Sequence, residues 1–343
     1  MWVTLPFEEA FHPHDALSSP LRLSTAHFAA NLHVPLVTAA LYIAGIVYGH
    51  HLMRDKQPYS LKTALTAWNF FLALFSLVGA VKTAPLLVDT LTRKGFEASL
   101  CTPAATSYGA GPSGLWVQLF VVSKFFELLD TLFIVLRKRK MLFLHWYHHS
   151  TVLLYCFHAY AVEAPHALYF VAMNYSVHAI MYFYYGLMAL GSKPKWFPPE
   201  VITTAQIAQM VVGVWVQVAA VHHKNRCAFH GWNLVFGGVM YLSYLALFVK
   251  FAFDRYVFRK LPRGKGVTLV AGYDRGASVR TAFPTFFRLV DCVDFLLRKY
   301  KQLQQQRRRQ KMSGASSSAS SVSSSSVGGS SNSLSLSGGG PSV

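Results

Sequence analysis

Apolar positions in this chain neither alternate nor keep to one helical face; they come in long runs. Windows at about 31–53, 61–87, 114–136, 141–161, 166–190, 199–221 and 232–256 are each dominated by apolar residues. Most reach the roughly 20 residues that cross a bilayer core. Within lipid a chain must satisfy its own backbone hydrogen bonds, so such runs are read as helices. The pattern predicts an all-α, polytopic membrane protein with seven transmembrane helices spanning 31–258. Polar punctuation separates the runs: Arg54-Asp55-Lys56, the stretch 93–113, Arg137-Lys138-Arg139-Lys140, and Lys193-Pro194-Lys195.

Composition supports a membrane class. Of 343 residues, 53% are hydrophobic and 13% charged, against about 25% charged in a soluble domain. The formal net charge is +18. The cations sit beside the apolar runs and in the C-terminal stretch, which points to anionic headgroups or an anionic substrate and away from nucleic acid. Alternation of the seven spans puts 54–62, 137–140, 193–195 and everything after Arg255 on one side. By the positive-inside rule that side is cytosolic and the N-terminus is lumenal or extracellular. Residues 1–15 carry acids, prolines and histidines and do not read as a cleaved signal, so the first span is expected to act as the signal. Beyond the bundle, 259–312 is basic, with an apolar stripe at 283–297 that suits an interfacial helix. The Ser/Gly-rich stretch 313–343 reads as disordered. Cys101 and Cys227 fall on the oxidising side, either bridged or as two free thiols. Cys156 lies inside the fourth span as a packing residue, and no CxxC pair suggests a structural zinc site.

Candidate chemistry comes from polar side chains inside the spans, which are costly in lipid and so mark function by default. The third span holds Lys124, Glu127 and Asp130-Thr131, spaced to share about one face. The fourth holds His145, His148 and His149. The fifth holds Asn174, His178, Tyr182 and Tyr185, and the sixth Thr203, Gln206 and Gln209. Asp130 lies about seven residues, roughly 10 Å, from the basic cluster at 137–140. The histidines lie at a similar depth on the next span. Four helices thus place polar groups in one layer of the cytosolic half, as an active site enclosed by the bundle and open to the cytosol requires.

Three activities suit such a layer. HxxHH is a ligand-like spacing and would serve a metal-dependent lipid oxidase, but di-iron enzymes need about eight histidines in three boxes. Here there is one box plus His178, so no resident metal or cofactor is expected. A transporter or receptor would accept seven spans but leaves the clustered histidines beside Glu127 and Asp130 without a role. Metal-free acid/base and nucleophilic chemistry uses all of them, since imidazole attacks thioesters when a neighbour sets its tautomer. One lone intramembrane His more often only bonds a neighbouring helix. The aromatic runs 182–185 and 125–126 are ambiguous, since as packing or lipid-facing residues they need no function.

Four segments together resemble the ELO family of very-long-chain fatty acid elongases, over about residues 30–258. Lys124-Phe-Phe-Glu127-Leu-Leu-Asp130-Thr131 is similar to KxxExxDT, and His145-Trp-Tyr-His148-His149 to HxxHH. His178-Ala-Ile-Met181-Tyr182-Phe-Tyr184-Tyr185 is similar to HxxMYxYY, and Thr203-Thr-Ala-Gln206-Ile-Ala-Gln209 to TxxQxxQ. The resemblance implies the condensing step of elongation, in which acyl-CoA and malonyl-CoA give a 3-ketoacyl-CoA with loss of CO2 and CoA. It implies an endoplasmic reticulum membrane location and a lumenal disulfide between Cys101 and Cys227. In this reading His148 is the nucleophile, His145 and His149 orient it or move protons, and Glu127 and Asp130 fix the imidazoles. His178 stabilises the enolate with Asn174 and Tyr182. Gln206 and Gln209 line the thioester region, and Lys124 and Tyr185 join them as substrate-binding candidates, the alternative for Lys124 being a partner for Glu127 only. Arg137, Lys138 and Lys193 would meet the CoA phosphates. Trp146 and 174–178 look like the branch that acts on saturated and monounsaturated chains. Expected partners are membrane lipid, the two CoA substrates, other enzymes of the elongation cycle and a second copy of the chain. The sequence departs from the family in its basic, Ser-rich tail and in lacking a dilysine signal near its end.

Overall fold

The structure, a computed structural model, describes residues 20–257 apart from Ala110, Lys193 and Lys195, and gives only the backbone for 20–23 and 257. The expected interfacial helix, the Ser/Gly-rich tail and most of the N-terminal segment lie outside the described residues, as does Lys193. Among the described residues ordered structure is entirely helical: α1 Pro20–Ala30, α2 His33–Met53, α3 Lys62–Arg93, α4 Gly95–Cys101, α5 Gly111–Phe126, α6 Leu129–Leu136, α7 Phe143–Ala161, α8 Ala167–Leu190, α9 Pro199–His222 and α10 Gly231–Ala252. Every window expected to cross the membrane is helical. Four helical stretches, His33–Met53, Lys62–Arg93, Pro199–His222 and Gly231–Tyr256, are long and apolar enough to do so by length and composition.

The third window is corrected from one helix to two. Between α5 and α6 the backbone tightens to i→i+3 bonds, from Leu128 N to Phe125 O, Asp130 N to Glu127 O and Thr131 N to Leu128 O, at 3.4, 3.1 and 3.1 Å. Such 3₁₀ stretches inside a helical run often mark function. Here the tight turn falls on the residues that carry the chemistry.

Helices α3 and α8 share the largest interface, and two small residues permit it. Gly79 of α3 lies under the Tyr175 ring, so closely that a Cβ there would enter the ring. Gly186 of α8 lies under Phe70, where a Cβ would stand 2.9 Å from the ring. Tyr175 is itself fixed by donating to the Trp116 carbonyl at 2.9 Å. At one end of the bundle Cys101 and Cys227 are disulfide-bonded, with Cα atoms 5.1 Å apart, tying the end of α4 to the α9–α10 loop. Tyr108 donates to the Ala164 carbonyl at 2.8 Å near the same end. Helix α1 packs there too, with the Phe28 ring 4.5 Å from Phe157 and 4.8 Å from Tyr160.

Replacing Gly79 by valine forces Tyr175 off its seat, and overpacking of this kind costs roughly 1–3 kcal/mol. The detergent-solubilised Gly79→Val protein is expected to unfold at a lower temperature than wild type. The same substitution at Gly45, whose Cβ position is open, should leave the midpoint close to wild type.

Candidate active site

A cavity of about 520 Å³ lies between α6, α7, α8, α9 and α10, with the start of α3 at its edge. Its polar lining comprises Asn69, Asp130, Arg137, Arg139, His145, His148, His149, Asn174, His178, Tyr182, Tyr185, Gln206 and Gln209. Arg139 is exposed, so the cavity reaches the surface at the α6–α7 loop. Apolar side chains, Met181, Met210, Phe248 and Phe251 among them, fill out the wall.

The polar groups are organised as a ladder between α5–α6 and α8. On the first rung Lys124 donates to Asn174 Oδ1 at 3.0 Å, and on the second Glu127 Oε2 stands 3.9 Å from His178 Nδ1. On the third rung the Tyr182 hydroxyl donates to Asp130 Oδ2 at 2.7 Å. Helix α8 advances four residues per rung, about 6 Å, whereas α5–α6 advances three. Three α-helical residues rise only about 4.5 Å, but three in a 3₁₀ turn rise about 6 Å, so the tightened turn after Glu127 keeps the last rung in register.

Lys124 and Glu127 form an ion pair of 2.7 Å with side chains 2% and 5% exposed. Ser123 also donates to the same carboxylate oxygen at 3.1 Å, and the Lys124 ammonium lies 4.1 Å from the Phe120 ring centre. Asn174 Nδ2 is 3.0 Å from His178 Nε2. The ion pair therefore holds the His178 ring through both nitrogens: by a hydrogen bond through Asn174 and by the Glu127 charge directly.

Three expectations are corrected. Lys124 does not line the cavity; it is buried behind it as the partner of Glu127 and Asn174. Asp130 fixes no imidazole: it accepts from Trp68 Nε1 and from Tyr182, both at 2.7 Å. Lys138 is turned away, donating to the Arg54 and Lys56 carbonyls at 3.0 Å each and so tying the α6–α7 loop to the end of α2. Its backbone φ is +51°.

The α7 histidines differ in their surroundings. His145 Nε2 is 2.8 Å from Thr131 Oγ1. His149 is buried, with Nδ1 lacking a hydrogen-bond partner among the described residues, and its ring centre lies 4.4 Å from His145 and 5.5 Å from His148. His148 faces the cavity against the Tyr244 ring at 4.9 Å, and no side-chain hydrogen bond occupies it among the described residues. Tyr244 anchors this turn of α7 by donating to the His148 carbonyl at 3.2 Å and meeting Thr151 Oγ1 at 2.5 Å. On α9, Gln209 is buried and Gln206 Nε2 contacts Met181 Sδ at 3.3 Å. Tyr185 lines the outer wall. No group of three or more His, Cys, Asp or Glu among the described residues is placed to hold a metal ion.

Sequence reasoning missed Trp68, Arg139 and Tyr244. A single Trp or Tyr in an apolar run reads as packing, and Arg139 is one cation in a run of four. Only the fold shows which of them turns inward.

Residues 27–263 match the model of the ELO family, described as the GNS1/SUR4 family. The chain is 40% identical over 254 residues to the very long chain fatty acid elongase 6 of Gallus gallus, covering 73% of this chain and 92% of that protein. It is 38% identical over 260 residues to the Mus musculus protein of the same name, with the same shares. To the long chain fatty acid elongase 1 of Caenorhabditis elegans it is 37% identical over 236 residues, 68% of this chain and 81% of that one.

Removing one partner of a buried ion pair strands the other charge, at a cost of about 3–5 kcal/mol. Lys124→Met is therefore expected to lower the unfolding midpoint sharply in detergent. Lys124→Met/Glu127→Leu should recover most of that loss, because no charge is then left unpaired.

Proposed function

The chain belongs to the ELO family, and on that premise we propose that this cavity performs the condensing step of elongation through an acyl-imidazole on His148. The protein is an enzyme of fatty acid elongation, an acyl transferase of a multi-pass membrane type. Its reaction joins acyl-CoA and malonyl-CoA to give a 3-ketoacyl-CoA two carbons longer, with release of CO2 and CoA.

The observation that carries the mechanism is the contrast among the four imidazoles. His145 and His178 are held by hydrogen bonds to Thr131 and Asn174. Neither His148 nor His149 has such a bond among the described residues; His149 is buried, whereas His148 is the more exposed of the two and faces the cavity, so a ring lone pair is available to a thioester carbonyl. Its nitrogen adds to the acyl carbon, the C–S bond breaks, and the CoA sulfur leaves with the electron pair and takes up a proton. Malonyl-CoA then loses CO2, and the pair from the broken C–C bond forms the enolate of the remaining thioester. His178, backed by Asn174 and the Lys124–Glu127 pair, stands where it can hold the enolate oxygen. The enolate carbon attacks the acyl carbon, the C–N bond to His148 breaks, and the ketoacyl-CoA departs. His149, edge-on to His148, and His145 beyond it are placed to move the ring protons. Arg137 and Arg139 at the surface end of the cavity suit the CoA phosphates. The apolar wall suits the acyl chain, with Gln206 and Gln209 beside the thioester.

We read the seven helical windows as seven crossings, with α5 and α6 together forming the third. The basic stretches then share the cytosolic side and the Cys101–Cys227 bridge the lumenal one, as in an endoplasmic reticulum protein with a lumenal N-terminus.

Acyl-CoA supplied alone should release one CoA per active site and leave the radiolabelled acyl group on wild-type protein, whereas His148→Ala should acquire no label. Equal labelling of the two proteins would remove His148 from this role. With malonyl-CoA present, an acyl-CoA panel should show faster ketoacyl formation from saturated and monounsaturated chains than from polyunsaturated ones. A wild-type protein that forms no ketoacyl product from any chain would overturn the condensing reaction itself.

A further inference from the structure

Helix α2 is barely embedded in the protein: Pro35, Ala39 and Met53 are its buried residues. Its inward stripe runs through Pro35, Ala39, Tyr42, Gly49 and Met53, at steps suited to one helical face. Gly49 allows close contact, since a Cβ there would stand 3.0 Å from the Val135 side chain of α6. Tyr42 is the polar member of this stripe. Its hydroxyl lies 2.7 Å from Thr131 Oγ1, and Thr131 Oγ1 lies 2.8 Å from His145 Nε2. Thr131 is 3% exposed, so these are the partners its hydroxyl has among the described residues.

The proton inventory gives the chain a direction. Each hydroxyl has one proton to donate. If Thr131 gave its proton to Tyr42, the phenolic proton would have no acceptor among the described residues. With Tyr42 donating to Thr131 and Thr131 donating to His145, every proton has a partner. His145 Nε2 is then an acceptor, and the neutral ring carries its hydrogen on Nδ1.

We propose that Tyr42 is a positioning residue for the condensing reaction, acting through Thr131 to hold His145 in one tautomer and orientation. Its effect reaches the reacting centre by packing. The His145 ring lies 4.4 Å from His149, and His149 lies 5.5 Å from His148. A His145 free to rotate, or to carry its hydrogen on Nε2, would leave that row of imidazoles without a fixed end. The role falls to a helix that supplies none of the four motifs, and it gives α2 a function besides crossing lipid. The inference rests on the reading of this cavity as the condensing site.

The test uses the full-length protein in detergent or nanodiscs, with steady-state kinetics for both CoA substrates and thermal unfolding of each variant. Tyr42→Phe keeps the ring and removes the donor. It should lower kcat roughly three- to tenfold, the scale of one neutral hydrogen bond, with KM for both substrates changed by less than about twofold. The unfolding midpoint should stay near wild type. Thr131→Val should lower kcat at least as far, and Thr131→Ser, which keeps the hydroxyl, should restore it. In the Thr131→Val background Tyr42→Phe should have no further effect, because the relay is already cut. A wild-type kcat for Tyr42→Phe would overturn the proposal. So would an equal loss with and without the Thr131 hydroxyl, or a loss that only tracks the fraction of unfolded protein. Wild-type protein inactive in the same assay would instead overturn the condensing reading on which the proposal rests.

Discussion

Lys124 and Glu127 are two opposite charges with almost no exposure, 2.7 Å apart inside a helical bundle. Taking either out of water is expensive, and their mutual attraction offsets that only when the remaining donors and acceptors also find partners. Much of the site follows from meeting this condition. Ser123 covers one carboxylate oxygen, Asn174 receives a second ammonium proton, and the Phe120 ring faces the cation. The other carboxylate oxygen has no hydrogen bond among the described residues and points to His178 at 3.9 Å. The pair is thus a structural brace whose one unfinished valence is aimed at an imidazole of the cavity.

The brace also sets the register of the helices. Because it ties α5 to α8 at Asn174 and His178, the next polar side chain must reach Tyr182, one α-helical turn on. A regular helix after Glu127 would fall short of that level, and the 3₁₀ turn supplies the missing rise. Asp130 can then accept from Tyr182 and from Trp68 together, which brings α3 into the same ladder. The Gly79–Tyr175 and Gly186–Phe70 contacts let α3 and α8 approach closely enough for both bonds. Packing and polar satisfaction agree here, which is what a unique arrangement in lipid requires, since apolar contact alone does not distinguish helix from lipid.

The histidines divide by what surrounds them. His178 and His145 are held by side chains from other helices, whereas His148 is backed by the Tyr244 ring and leaves its nitrogens to the cavity. A set in which two imidazoles are fixed by hydrogen bonds, one is buried and one is open to the cavity suits two successive steps, acyl capture and then decarboxylative attack, carried out in one enclosed volume. The arginines at the surface end and the apolar wall deeper in separate the charged and the fatty parts of a CoA thioester.

Much of this was legible in the chain. Helical spans can be read because the length of an apolar run is a local property, and a layer of polar residues can be read because depth follows from counting residues at a known rise. The placement of His145, His148, His149, Asn174, His178, Tyr182, Gln206 and Gln209 around one cavity agrees with that count. What could not be read was direction and partnership. Trp68 and Tyr42 look like packing residues, Lys138 looks like its basic neighbours, and Lys124 reads equally as a group that meets substrate or as a partner for Glu127. Each is decided by which neighbouring helix stands opposite, and a helix repeats its faces every 3.6 residues without stating what faces them. The sequence by itself determined where polar groups had to lie in the bilayer. The tertiary structure alone decided which of them satisfy one another and which remain open to react, because a hydrogen bond forms across about 3 Å of space between residues that are, like Tyr244 and His148, 96 positions apart in the chain.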